Sequence, residues 1–379
     1  MDSSEKPESW DIYASMFGGI PAKEVDELSD YWAAFPALKG EIFAKVNDSY
    51  YELRTSDIKK AVQSSEDVRA FISRYIASFD GFDEYLKKEL MQAMSGVNIS
   101  KEEAVLSEDI FGRLKGMPLV DAYEAYQILD NDWNKISVDL EIIQSEGFEA
   151  TKQVDPNMVI KKKNGKDQEV QEGWIGHVIP FELAQARYMS EAVEALKKAE
   201  ERLSEIVASY DEALDELPEE EKDKDFVNDD KTAFVWAEVK KAIKAKDVEP
   251  EVLAVLKKVL SNNDEEKKLK KQIKDDGEKL HLETKKLIEN LEDDQVMELL
   301  HDKWIVPLVE SLQQLPDSFI SELITELGKL CSKYEDTLEQ VEDQISSTEN
   351  ELSRMLSMLS GNDFDMQGIA ELKKMLGGV

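Results

Sequence analysis

The sequence predicts a mainly α protein, in which a helical domain with a small β-hairpin is followed by a long, helical, coiled-coil-rich region. Two stripes of apolar residues, with alternating steps of three and four, predict the coiled coil. An Asn-Gly dipeptide between two strand-like runs predicts the hairpin. We therefore expect a helical domain over residues 1–185, with the hairpin near 158–179, and the coiled-coil region over 186–379.

The composition supports this class and restricts the ligands. The chain has 379 residues, of which 41% are hydrophobic and 34% are charged, as in proteins with long exposed helices. Its net charge of -35 opposes the binding of a polyanion, so any nucleic-acid contact needs a local basic patch or a basic partner. The single cysteine, Cys331, and the lack of an apolar run of about 18 residues predict a cytoplasmic protein with no membrane contact.

Short amphipathic helices are predicted along the first half of the chain. Val25, Leu28 and Trp32 lie at helical spacing after Pro21, which suits the start of a helix. The longest helical pattern ends at Gly147, a residue type that commonly terminates helices. Together these helical patterns cover residues 22–33, 56–62, 65–78, 82–94 and 119–147.

The predicted hairpin carries a cluster of basic residues on either side of Asn164-Gly165. In one interpretation these lysines contact nucleic-acid phosphates. In the other they form a solvated, charged edge that discourages pairing with a further strand, and the sequence leaves both open. The lysines are Lys161, Lys162, Lys163 and Lys166.

The first apolar stripe lies in a helix that ends before Pro218, and the second in one helix from about Phe319 to Leu359. A charged, poorly structured connector is expected over residues 218–231. The stripes could pack on each other as an internal hairpin, which would still leave a face open for a partner helix. The candidate docking residues are Val193, Leu196, Leu203, Val207, Leu214, Leu323, Leu327, Leu330, Leu338, Val341, Ile345, Leu352 and Leu359.

Catalytic and metal-binding patterns are missing from the sequence. His177, His281 and His301 do not have the spacing of metal ligands, and no cysteine pair accompanies them. There is no nucleophile elbow, no glycine-rich nucleotide loop and no double-proline motif of adenine methyltransferases. We therefore predict no catalytic, cofactor-binding or metal-binding residues in this chain.

Several runs of sequence nevertheless resemble one family. Residues 19–32 (GIPAKEVDELSDYW) resemble the segment just after the catalytic domain in modification (M) subunits of type I restriction-modification systems. Residues 106–111, 119–127 and 178–188 are similar to later segments of the same family. The pattern continues to the C-terminal helices through Asp302-Lys-Trp304, Leu315-Pro316, Lys333-Tyr334 and residues 348–356.

The resemblance implies a part of a site-specific N6-adenine DNA methyltransferase. M subunits use S-adenosylmethionine, which they bind in an upstream domain whose motifs are absent here. This chain would be the C-terminal portion, inactive alone and without a cofactor. In the family, the C-terminal helices dock on the coiled-coil spacers of the specificity (S) subunit. The implied partners are the S subunit, the restriction (R) subunit as a further one, and DNA through the assembled complex.

Two other interpretations remain open from the residues. The chain could be a free-standing coiled-coil scaffold that associates with itself and has no connection to DNA modification. It could also be a truncated M subunit that regulates the system by occupying the S subunit without catalysis. Self-pairing without a foreign partner would favour the scaffold.

Overall fold

The computed structural model describes residues 19–163, 166–245, 248–334, 338–359 and 363–375. Helices dominate these residues, and their strands form one three-stranded and one two-stranded antiparallel sheet. This confirms the predicted mainly α class and the small β-hairpin. The elements up to the hairpin are β1 (Ile20–Pro21), α1 (Ala22–Glu27), α2 (Ser29–Ala34), α3 (Leu38–Ile42), β2 (Phe43–Lys45), β3 (Tyr50–Leu53), α4 (Ile58–Ser64), α5 (Glu66–Ser78), α6 (Phe82–Leu86), α7 (Ile99–Leu114), α8 (Ala122–Glu146), β4 (Val154–Lys163) and β5 (Lys166–Gly176).

The rest of the described chain is almost wholly helical. A π-helical turn (Lys87–Gln92) also follows α6, and a 3-10 turn (Phe148–Lys152) precedes β4. The later helices are α9 (Phe181–Tyr188), α10 (Ser190–Asp215), α11 (Glu219–Lys222), α12 (Trp236–Ala245), α13 (Pro250–Glu289), α14 (Asp293–Trp304), α15 (Val306–Lys333), α16 (Leu338–Ser357) and α17 (Asp363–Met375).

Backbone contacts divide the chain into two compact units, each made of separate stretches of sequence. The first unit takes the segment up to Asp83, Lys101–Asn131 and the segment from Leu308 onward. The second takes Glu84–Ser100 and Asp132–Pro307. The boundary predicted near residue 185 follows a change of sequence pattern, whereas these units join segments that are distant in sequence.

In the first unit, α15 packs into the core formed by the N-terminal helices and the sheet β1-β3-β2. Leu323 and Leu327 are fully buried, and they share one apolar cluster with Phe35, Leu38 and Phe71. Phe71 belongs to α5, whose apolar residues recur at helical spacing and face this core. The second apolar stripe of the sequence therefore begins inside a folded domain.

The single helix predicted over residues 319–359 is wrong in one respect, because α15 ends at Lys333 and α16 begins at Leu338. Residues 335–337 lie outside the described residues. At the end of α15, the Lys333 ammonium and the Tyr334 hydroxyl both donate to the Glu24 carboxylate, at 2.7 and 2.5 Å. These bonds anchor the chain where the apolar stripe changes phase.

In the second unit, α10 and α13 form a long antiparallel pair. The Arg202 guanidinium donates to Glu265 at 2.9 Å, and the Tyr210 hydroxyl donates to Glu266 at 2.8 Å. Nearer the other end of α10, α9 contacts the C-terminal half of α13 through a bond from Gln185 to Thr284. From Gln185 through Arg202 to Ser209, the partner on α13 moves back from Thr284 through Glu265 to Asn262, which defines the antiparallel direction.

A small folded head joins the far ends of this pair. The predicted connector over 218–231 was expected to be poorly structured, but it contains α11, and its Phe226 and Val227 are buried. They pack with Phe234 and Leu256, and an isolated bridge pairs Val227 with Phe234. Two apolar residues within a charged run are too few to produce a helical or strand period, although they are sufficient for a local core.

The predicted hairpin is longer than its sequence pattern, and its base rests on α13. Its register pairs Val154 with Gly176 and runs to the pair Lys163 and Lys166, with one irregularity after Pro156. The backbone N–H of Trp174 donates to Nε2 of His281 at 2.9 Å. None of the helices in the described residues combines the length and the apolar composition that a membrane-spanning helix requires.

Candidate docking surface

The first apolar stripe lies largely in the seam between α10 and α13. Leu214 is buried, and Val193, Leu196 and Leu203 are half-buried. Val207 remains 48% exposed. The internal pairing of helices, one of the alternatives left open by the sequence, therefore occupies most of this stripe, although its partner is α13 and not the second stripe.

The second stripe divides into a covered and an exposed part. Leu323, Leu327 and Leu330 are buried in the first unit's core, where its own helices contact them. Ile345 and Leu352 in α16 are 52% and 42% exposed, and a similar exposure continues beyond α16. The side chains of Leu338 and Val341 lie outside the described side chains.

The exposed part forms what we call the C-terminal apolar surface. Eight of the exposed large apolar side chains fall within residues 345–372, whereas the much longer rest of the described chain contributes eleven. Single exposed apolar residues are ordinary, but so many within one short stretch of chain indicate an interaction surface. Its members are Ile345, Leu352, Met355, Met358, Leu359, Phe364, Met366 and Leu372.

The spacing within α16 is that of a coiled-coil seam. Ile345 and Leu352 in α16 are seven residues apart, Met355 falls at the alternate seam position, and Leu359, just beyond the end of α16, continues the seven-residue step. A helix with this period packs its seam against a neighbouring helix, because the stripe stays on one side only when two helices wind around each other. In α16 the described seam residues are exposed to solvent instead.

Acidic residues predominate in the sequence of α16. The sequence of α16 contains the acids Glu339, Glu342, Asp343, Glu349 and Glu351, and its only base is Arg354. Residues flanking a coiled-coil seam select partners by charge. A partner helix that carries Lys or Arg beside its own apolar seam would therefore suit α16.

The hairpin lysines are less free than a phosphate-binding loop would require. The Lys161 ammonium lies 2.7 Å from the Glu172 carboxylate, and the register places Lys162 opposite Asp167. Lys161 and Lys162 are exposed, and the side chains of Lys163 and Lys166 lie outside the described side chains. This pairing favours the charged-edge interpretation over phosphate contact.

The surroundings of His177 and Cys331 shift the pKa of each side chain. His177 Nδ1 lies 2.6 Å from the Asp155 carboxylate, and this hydrogen bond raises the pKa of His177. Burial raises the pKa of the Cys331 thiol to about 11, which leaves little reactive thiolate near neutral pH. Among the described residues, no group of three or more His, Cys, Asp or Glu side chains could hold a metal ion.

No protein-family model, curated protein or solved structure matches this chain.

Proposed function

We propose that this chain is the non-catalytic C-terminal part of a type I restriction-modification M subunit. In this function it docks the methyltransferase module onto the S subunit, and the assembled cytoplasmic complex methylates DNA at adenine. The observation that carries the docking proposal is the C-terminal apolar surface, with its heptad spacing and its exposure. The sequence resemblance supplies the identity of the partner, whose spacers are themselves coiled coils.

The physical reason for docking is the free energy of burying this surface. Fully burying one large apolar side chain contributes about 1.5–3 kcal/mol, and the C-terminal apolar surface offers eight that are now exposed. The 20 residues of α16 extend about 30 Å along the helix axis. That length allows successive knobs-into-holes contacts with a partner coiled coil.

Docking through the C-terminal apolar surface does not disturb the first stripe or the buried part of the second stripe. Leu323 and Leu327 stabilise the first unit, and Leu214 stabilises the pair of α10 and α13. The proposal therefore concentrates on Ile345, Leu352 and Leu359 and does not require any of the buried residues to become available.

The test is light scattering on a sizing column, with the chain alone and with the S subunit encoded beside it. The double variant Leu352→Asp with Met355→Asp places charges in the exposed seam without touching a described core. Val105→Asp with Val138→Asp is the matched control, because these side chains are similarly exposed, at 44% and 53%, and belong to neither apolar stripe. We expect a mixed species with the original chain and with the control, but not with the double variant.

Two results would contradict the proposal: a chain that ignores the S subunit, or a double variant that still forms the mixed species. The same column separates the alternative functions. Dimers of the chain alone would favour a self-associating scaffold, because the exposed seam of α16 could also pair with a second copy. The excess of acids in α16 opposes that pairing, since like charges flanking a seam repel.

A further inference from the structure

A basic stretch on α13 stands out in this acidic chain. Five lysines occur between residues 267 and 274, with no acidic residue among them. All five residues are exposed. Acidic residues resume on both sides, at Glu266 and Asp275. We call this stretch the lysine segment, and it comprises Lys267, Lys268, Lys270, Lys271 and Lys274.

The lysine segment departs from the charge pattern in the rest of α13. Farther along the helix, Lys279 and Lys285 each approach a glutamate four residues ahead, at 3.8 and 3.7 Å. Such opposite pairs stabilise a helix. Within the segment, however, the positions four apart pair Lys267 with Lys271 and Lys270 with Lys274, and like charges at this spacing destabilise a helix. A sequence selected for helix stability alone would not place them there.

Part of this charge is left uncompensated. Lys270 lies 2.6 Å from Glu266, and Lys274 lies 3.9 Å from Glu278. Lys267 donates to the neutral amide oxygen of Asn263 at 2.6 Å. Among the described residues, no carboxylate oxygen lies within 4.0 Å of the ammonium groups of Lys267, Lys268 and Lys271, although the charge of Lys268 contributes to lowering the pKa of Glu265.

Acids of the neighbouring helix do not remove this charge by contact. On α10, Glu194 and Glu201 lie 2.8 and 3.8 Å from lysines of their own helix. The Glu205 carboxylate lies 3.1 Å from Arg202. Acids farther away act weakly, because screening at physiological salt extends over roughly 8 Å. These three acids of α10 therefore already have partners within their own helix.

We infer that the lysine segment binds the phosphate backbone of double-stranded nucleic acid. Duplex DNA carries about one charge per 1.7 Å of its axis, so the segment, about 10 Å long, faces several phosphates. Lysine ammonium groups act as point charges and lack the planar fork that reads base edges. This inference is independent of the docking proposal, because the segment lies on a different element.

The same composition argues against other polyanionic surfaces. The segment contains no aromatic residue on which single-stranded bases could stack. Its apolar residues, Leu269 and Ile273, are half-buried and are not available for insertion into lipid. A duplex needs neither feature, because its regularly spaced phosphates are recognised by charge alone.

Two contacts show the direction in which the base of the hairpin crosses α13. At the hairpin's base, a Cβ added to Gly176 would lie 3.6 Å from Cδ1 of Ile288. Closer to the turn, Trp174 contacts His281. Moving toward the turn thus shifts the contacts toward the N-terminal end of α13, which is the direction of the lysine segment.

The test uses the full chain and a fluorescein-labelled DNA duplex of about 20 base pairs, with binding followed by anisotropy at several salt concentrations. One variant replaces the five lysines of the segment by glutamine. The control replaces five exposed lysines elsewhere in the same unit, which removes the same charge. The control positions are Lys240, Lys241, Lys244, Lys257 and Lys258.

We expect the original chain to bind the duplex at about 50 mM salt and to release it as salt rises. The segment variant should bind at least about tenfold more weakly and with a shallower salt dependence, while the control stays within about twofold. Replacing the five lysines by arginine should preserve binding and exclude a loss caused by misfolding.

The inference is overturned if the original chain fails to bind the duplex at low salt. Equal losses in the segment variant and the control would also overturn it, because they would reflect net charge alone. Tighter binding of polyglutamate than of the duplex would reject nucleic acid as the ligand. The binding assay contains no S subunit, so none of these outcomes depends on whether the chain docks on the S subunit.

Discussion

The Tyr75 hydroxyl donates a 2.9 Å hydrogen bond to the backbone carbonyl of Leu312, a residue 237 positions later in the chain. Leu312 stands four residues before Pro316, which lies inside α15. Proline has no N–H, so it cannot donate the helical hydrogen bond that this carbonyl would otherwise accept. A tyrosine from α5 thus supplies a donor that the helix lacks, and burial raises the pKa of Tyr75 so that the donor keeps its proton.

Replacing Tyr75 by phenylalanine should leave this buried carbonyl without a donor. We expect the free energy of unfolding to fall by about 1–3 kcal/mol, the usual cost of an unpaired buried polar group. Urea denaturation measures the change. Tyr123→Phe is the control, because Tyr123 is 75% exposed and its substitution should have little effect. In a Pro316→Ala background the cost of Tyr75→Phe should shrink; an unchanged cost would contradict this role.

Removing the Asp139 carboxylate should destabilise the second unit more strongly than Tyr75→Phe destabilises the first unit. Asp139 is only 5% exposed and accepts from the Trp304 indole at 2.7 Å and the Lys303 ammonium at 2.5 Å. Asp139→Ala leaves that ammonium without its counter-charge, at a cost of about 3–5 kcal/mol. Thermal and urea unfolding should both detect it. Asp132→Ala, whose carboxylate pairs with a largely exposed lysine, should cost far less; similar losses would argue against a special role for Asp139.

A side chain at Gly173 should loosen the base of the hairpin. Gly173 has φ +81, and a Cβ there would lie 2.6 Å from Nε2 of His281, which accepts from Trp174. Gly116 has φ +83 with nothing within 4 Å of the added Cβ, so Gly116→Ala has the same backbone strain without the clash. Hydrogen exchange of the hairpin amides should accelerate in Gly173→Ala and not in Gly116→Ala; equal protection in both variants would reject the clash.

The His177 contacts should make stability depend on pH in a defined direction. The hydrogen bond to Asp155 raises the pKa of His177 above its ordinary 6.5, and Glu146 contributes at 3.3 Å. Because the pKa of His177 is higher in the folded chain than in the unfolded chain, its stabilising effect is complete below the pKa of the unfolded chain. The effect is lost as pH rises through the pKa of the folded chain. The difference in thermal stability between the original chain and His177→Gln should therefore shrink from about pH 6 to pH 9. A stability difference between the two proteins that grows with pH would contradict a raised pKa of His177.

The sequence predicted local features whose causes are local. Asn164-Gly165 between two strand-like runs was sufficient for the hairpin, and the period of the apolar stripes was sufficient for long helices. A period identifies the face of a helix that is buried, but it does not identify the partner. The contacts of Leu323 with the N-terminal helices could not be predicted, because they join residues that are almost 300 positions apart.

The candidate site was predicted only in part for the same reason. The stripe containing Leu196 and the stripe containing Ile345 have similar periods, yet one is largely covered by α13 and the other is exposed. The sequence did not identify α13 as the partner helix, because Leu269 and Ile273 stand alone as apolar residues in the middle of a long charged run. The lysine segment was visible in the sequence, but the exposure of all five residues became apparent only from the fold.

The antiparallel course of α10 and α13 has a consequence for how this protein can change. The chain leaves the pair at Asp215 and re-enters it at Pro250, next to each other at the same end. The intervening head is therefore a cassette whose two ends are neighbours. Evolution, or an engineer, can exchange it for a short turn or a different module. Adding or removing the same number of heptads in α10 and α13 would also lengthen or shorten the helical pair and leave the end farther from the head unaltered.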